Sequence, residues 1–163
     1  MFLRINSDEK TQEAQLIKKM SGIDMQLEKI VSAIDKTPLL YSKDFYEWPD
    51  AWMGFDEDLI TGKIILQAFA PFVKNLVEEG LSKKTINGHM ENLWFLGSEI
   101  IRGVHFDEDQ RKLSPKELLL EYVSEEGGPW VHQWDPGDRT ERNKISSYDA
   151  TCRKLYNFMT PTN

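Results

Sequence analysis

The three histidines and single cysteine are the residues best suited to metal binding or nucleophilic attack, and their spacing serves neither. His89, His105, His132 and Cys152 stand well apart, with no zinc-type pair and no His-Glu-x-x-His arrangement. Cys152 falls in the apolar register of a helical pattern, which predicts a buried, inert thiol. A phosphate-cradling loop is absent: neither Gly-x-x-x-x-Gly-Lys-Ser/Thr nor Gly-x-Gly-x-x-Gly occurs. Asp107-Glu108-Asp109 opens like a calcium loop, but Arg111 then occupies a ligand position, Lys112 the glycine position and Leu118 the position of the closing glutamate. Glu125-Glu126, beside two glycines, reads as a solvated loop. The expectation is a non-enzymatic protein with no metal and no cofactor.

What remains is charge and aromatic surface. Twenty Lys and Arg oppose 27 Asp and Glu over 163 residues, a formal net charge of −7, which argues against indiscriminate coating of nucleic acid. The cations nonetheless gather in two places. Lys83 and Lys84 open a helix, where free backbone amides also favour an anion. Arg142, Lys144 and Arg153 lie on the last helical pattern. Both sets read as solvated helix faces in the first place, and as phosphate contacts in the second. Between residues 39 and 58, Tyr41, Phe45, Tyr46, Trp48, Trp52 and Phe55 interleave with six carboxylates against Lys43 alone. These aromatics either clamp the segment onto the helices behind it or, at Trp48 and Trp52, anchor a partner protein.

The elements that must position these groups are helical throughout, so the expected class is all-α. Residues 8–34 carry Leu16, Met20, Ile23, Leu27, Ile30 and Ile34 in alternating steps of four and three, a heptad seam. Gly22 weakens this helix by about 1 kcal/mol relative to alanine. The seam serves either to lie on the protein's own domain or to bind a partner or a second copy. A second helix is expected over 57–79 with Pro71 inside it, and Gly80 as its left-handed stop. Ser82 caps a third, running to about residue 105. Its Gly88, Gly97 and Gly103 predict close approach by neighbouring elements. Ser114-Pro115-Lys116-Glu117 is a capping box opening a helix over 115–124. A final helix is expected over 139–159. The organisation is thus an N-terminal helix (1–38), an acidic aromatic connector (39–56) and a helical domain (57–160). The longest apolar stretch, 64–73, falls short of the ~20 residues of a membrane span, and the start lacks a secretory signal. With one cysteine, a cytoplasmic, reducing setting is expected.

Leu81-Ser-Lys-Lys-Thr-Ile86 through Leu93 resembles the segment that opens the second helix of the core-binding domain of tyrosine recombinases, the phage-integrase family. Lys144-Ile-Ser-Ser through Arg153-Lys-Leu-Tyr156-Asn-Phe158 is similar to that domain's last helix. The resemblance spans residues 57–159 and implies a four-helix, SAM-like orthogonal bundle that clasps DNA. It also implies phosphate contacts at Lys83, Lys84 and Thr85, with Arg142, Lys144 and Arg153 as further candidates. The family's His-x-x-Arg and its catalytic Arg and Tyr set have no counterpart here, so strand exchange is not expected. Two readings follow. One is a stand-alone, core-binding-like protein that binds duplex DNA, associated with recombination or a mobile element. The other is an interaction module that docks a recombinase or other protein, or a second copy through the N-terminal helix, without binding DNA.

Overall fold

A computed structural model describes residues 10–22 and 35–162. Two units emerge, Met1–Asp35 and Lys36–Asn163. In the first, residues 10–22 form helix α1, on which Leu16, Ile17 and Met20 are exposed. The other seam positions, Ile23, Leu27, Ile30 and Ile34, lie outside the described residues.

The second unit begins with two 3-10 helices, Thr37–Leu40 and Phe45–Glu47, and the short α2, Trp48–Trp52. Three long helices follow: α3 (Glu57–Glu78), α4 (Lys83–Val104) and α6 (Arg139–Met159). Between the last two lie a 3-10 helix, Glu108–Lys112, and α5, Pro115–Leu120. No strand occurs among the described residues, and the protein is all-α as expected. Nor is any described helix long and apolar enough to cross a membrane.

Local chemistry sets the boundaries. Gly80 adopts φ 78°, which lets the chain leave α3 at a position where a side chain would be strained. Ser82 then accepts the Thr85 amide at 3.2 Å to start α4. Asp138 accepts from Thr140 and Glu141 to start α6. The Ser114–Glu117 capping box forms in full, but α5 stops at Leu120, short of the expected 124. Tertiary packing overrides the local pattern there. Tyr122 turns onto Gly103 and donates its hydroxyl to Gln110.

The interior is filled by fully buried Phe45, Phe69, Phe72, Ile86, Leu93 and Ile100. Each such side chain contributes roughly 1.5–3 kcal/mol. Segment 39–56 is built into this body: Phe45, Trp48 and Trp52 are at most 8% exposed. α2 settles into a notch between Gly62 of α3 and Gly97 of α4. A methyl group on Gly62 would lie 2.6 Å from Pro49, and one on Gly97 would collide with the Trp52 ring. Trp52 fastens the joint by donating Nε1–H to the Trp94 carbonyl at 3.1 Å.

Pairing of His89 with Thr151 and of Asn92 with Ser147 shows that α6 runs antiparallel to α4. Their seam is partly polar. Asn92 Nδ2 donates to Thr151 Oγ1 at 2.8 Å and to Ser147 Oγ at 3.1 Å, and His89 Nδ1 meets Thr151 Oγ1 at 2.8 Å.

Candidate binding groove

Helix α4 turns its inner face to the core and leaves a strip of its outer face at the bottom of a groove. Two cavities make up that groove. The larger, about 660 Å³, is walled by Trp94 and Phe95 of α4, Trp134 of the preceding loop, and Asn143, Lys144 and Ser147 of α6. The smaller, about 370 Å³, lies between α4 and the start of the unit, with Tyr41, Asp44 and Trp48 on one side and Asn87, Met90 and Trp94 on the other. Glu91 and Trp94 border both, so the two are neighbours along α4.

The walls are braced by packing and hydrogen bonds. Trp134 lies 4.8 Å from Phe95 and 5.5 Å from buried Tyr148, centroid to centroid. Its loop is held by the Gly128 amide donating to Asp149 at 3.2 Å, and by His132 Nδ1 at 2.6 Å from Glu99, itself 7% exposed. On the opposite side Trp48 is sandwiched between Phe45 and Trp52 at 4.8 and 5.8 Å.

Gly88 stands out on the floor. Gly97 and Gly103 fulfil the expectation of close approach, to Trp52 and Tyr122, but a Cβ on Gly88 meets nothing within 4 Å. A glycine inside a helix costs roughly 0.8–1 kcal/mol relative to alanine. No contact within the fold offsets that cost. Gly88 instead borders the larger cavity, where an added Cβ would point into open space.

Electrostatics differ along its length. Lys144 is the only cation among the named wall residues, and it borders the larger cavity. The smaller has Asp44 and Glu91, with no Lys, Arg or His in its lining. The Ser42 hydroxyl beside Asp44 lowers its carboxyl below the usual range; burial opposes this and the Trp48 indole adds to it. Glu91 is exposed and forms no ion pair with any described residue. Asn87 Oδ1 is shut away from solvent and accepts no hydrogen bond.

The sequence-predicted cations are not brought together. Lys83 and Lys84 are exposed at the start of α4, and Thr85 is engaged by the Ser82 cap, whose hydroxyl donates to Thr85 Oγ1 at 2.9 Å. Helical spacing sets Arg142 and Arg153 on one line of α6, about 200° around from the side bonded to α4. Lys144 lies on the groove side. Trp48 and Trp52 are interior residues, and only Trp48 reaches a groove wall.

A second cluster, missed from the sequence, lies beside Asp107-Glu108-Asp109, in the connector between α4 and α5 where the calcium-loop pattern fails. Arg111 from that connector reaches back to α3 and donates to Asp58 Oδ1 at 2.8 Å and Thr61 Oγ1 at 2.9 Å. Asp58 has no exposed surface. Its other oxygen accepts from the Gly54 and Phe55 amides at 2.8 and 2.9 Å and lies 2.8 Å from His105 Nε2. Burial raises the Asp58 carboxyl, but the two amides, Arg111 and His105 together hold it far below the usual carboxylate range. This cluster joins three elements and has the character of a structural tie.

Neither place assembles a nucleophile with a base. Ser147 Oγ in the groove accepts from Asn92, while the nearby His89 is bonded to Thr151. Among the described residues no group of three His, Cys, Asp or Glu is placed to hold a metal ion. Comparison of the chain with family models, curated proteins and solved structures gave no match.

Proposed function

We propose that this chain acts by binding, as an interaction module that takes a linear segment of a partner protein in the groove over α4. The observation that carries the reading is a pair of neighbouring aromatic-lined cavities along one helix, the larger of them bordered by a glycine that no contact within the fold requires. Aromatic walls with a few placed polar groups are the usual make-up of a recognition surface. The four-helix, SAM-like bundle implied by the recombinase resemblance serves in this reading as the scaffold, and the seam from Leu16 to Ile34 as a means of self-association. The test is selection of peptides from a random library on the full chain, followed by binding to Gly88→Phe, which fills the floor. Selected peptides should bind at least tenfold more weakly to the variant. Peptides that bind both proteins equally, or no enrichment over an unrelated control protein, would refute the reading.

One observation favours the duplex-DNA reading as a second: Lys83, Lys84, Arg142, Lys144 and Arg153 are all exposed and none forms an ion pair with a described residue. On that reading, association with duplex DNA weakens steeply with salt and is lost in the Lys83→Glu, Lys84→Glu double variant. Retention of that double variant on DNA would sink it.

A further inference from the structure

We infer that Phe55 and Phe106, with the carboxylates beside them, form a second docking surface, which receives a partner-protein segment carrying large apolar side chains among Lys or Arg. It lies apart from the groove, where the start of α3 meets the end of α4. Phe55 is 57% exposed and Phe106 is 86% exposed. Every other phenylalanine among the described residues is buried or packed against the core. Burying a ring contributes roughly 1.5–3 kcal/mol, and the fold forgoes most of that at both positions. The rings are nonetheless presented on fixed backbone. One oxygen of buried Asp58 accepts the Gly54 and Phe55 amides at 2.8 and 2.9 Å and lies 2.8 Å from His105 Nε2. The His105 ring, oriented in this way, meets the Phe55 ring edge to face at 4.9 Å. Phe106 follows directly, its amide donating to the Gly103 carbonyl at 3.0 Å. The Asp58 tie thus fixes two segments whose largest side chains face water, and such ordering before contact lowers the entropic cost of binding.

Charge identifies the occupant. Asp56 and Glu57 follow Phe55, and Asp107 and Glu108 follow Phe106. All four are exposed, and none forms an ion pair with a described residue. Two cations of the same stretch are engaged, Arg111 by Asp58 and Lys112 by Asp109 at 3.5 Å. Arg102, exposed in the last turn of α4, is outnumbered. Helix stability accounts for Asp56 and Glu57, which suit the positive end of the α3 dipole. It does not account for Asp107, which stands just past the negative end of α4. Aromatic side chains are enriched in the cores of protein interfaces, and complementary charge at the rim sets the choice of partner. An acidic rim selects a basic segment, and it repels nucleic acid and anionic lipid. A second copy, at a net charge of −7, is disfavoured as well.

The test is selection from a random peptide library on the full chain, with the affinities of enriched peptides measured by fluorescence anisotropy. One class should bind the Phe55→Ser, Phe106→Ser double variant at least tenfold more weakly and Gly88→Phe within twofold of the parent. Peptides of that class should carry net positive charge and at least one large apolar residue. Their affinity should fall at least fivefold in the Asp107→Asn, Glu108→Gln double variant, and should fall further with added salt. Circular dichroism should show both double variants folded like the parent, because all four altered side chains are exposed. Absence of any peptide sensitive to the phenylalanine pair overturns the docking surface. Sensitive peptides that are neutral or acidic, or that ignore the carboxylate changes, overturn the basic partner. Cosedimentation with phosphatidylserine vesicles that depends on the two phenylalanines assigns the surface to a membrane and overturns the partner protein. So does a mass above the monomer by light scattering that the phenylalanine variant abolishes, which assigns the surface to a second copy. The groove reading is judged separately, on the peptides that Gly88→Phe weakens.

Discussion

Replacing Asp58 with alanine removes an acceptor that four donors share: the Gly54 and Phe55 amides, Arg111 and His105. It leaves the Arg111 guanidinium, whose side chain is only 16% exposed, with Thr61 as its remaining partner. Breaking a buried pair from one side costs about 3–5 kcal/mol. Water can reach the 28% of the His105 side chain that is open, which argues for the lower end, about 3 kcal/mol. In a unit of this size that corresponds to a drop of about 10 °C in Tm, at about 3–4 °C per kcal/mol. Urea unfolding followed by circular dichroism at 222 nm measures it. Arg111→Met should cost less, because Asp58 keeps its two amides. The double variant should fall short of the sum of the singles by about 1–3 kcal/mol. The sign with pH follows from the depressed folded-state carboxyl. Its contribution is fully present above the unfolded value of about 4 and is lost as pH falls through the folded value. Asp58→Ala should therefore lose less stability than the parent on acidification below about pH 4. A loss under about 1 kcal/mol for Asp58→Ala, or additive singles, refutes the view that the cluster ties the elements together.

Gly88→Ala should stabilise the protein by about 1 kcal/mol, since nothing opposes the added methyl. Gly97→Ala should destabilise it by about 1–3 kcal/mol through collision with Trp52, and the same urea titrations report both. His89 should titrate below the usual 6.5 by proton NMR, because burial first and Lys154 second disfavour its charged form despite Glu79. The stability contribution from neutral His89 is accordingly present above about pH 6.5 and lost as pH falls through its folded value, so His89→Gln should flatten that limb. The Cys152 thiol is pushed up to about 12 by burial first, with Asp149 adding to it. Native protein at pH 8 should resist a thiol-specific disulfide reagent until denaturant is added.

Much of the helical framework was legible because it is written in local chemistry. The Ser82 cap, the Ser114 capping box and the Gly80 stop act within a few residues, and each appears where the sequence implies. The groove was less legible because it is a property of three separated segments. Two clues to it were present. The run Leu93-Trp94-Phe95-Leu96 is apolar around too much of the helix for one buried stripe, and Gly88 weakens α4 mid-helix. Reading Gly88 together with Gly97 and Gly103 as a packing glycine hid the second clue. The Asp58–Arg111 tie was beyond sequence pattern, since the two residues lie far apart in the chain and Arg111 sits in an acidic run that looks fully solvated.

The indole rings flanking the groove give the protein a built-in optical reporter. Trp48, Trp94 and Trp134 border it, Trp52 is closed in at its back, and Trp130 stands 59% exposed to water outside it. Three of the five emitters therefore change surroundings when the groove fills, while Trp130 stays the red-shifted, readily quenched one. Occupancy can be followed by intrinsic fluorescence without a label, with Trp130→Phe removing most of the unresponsive background.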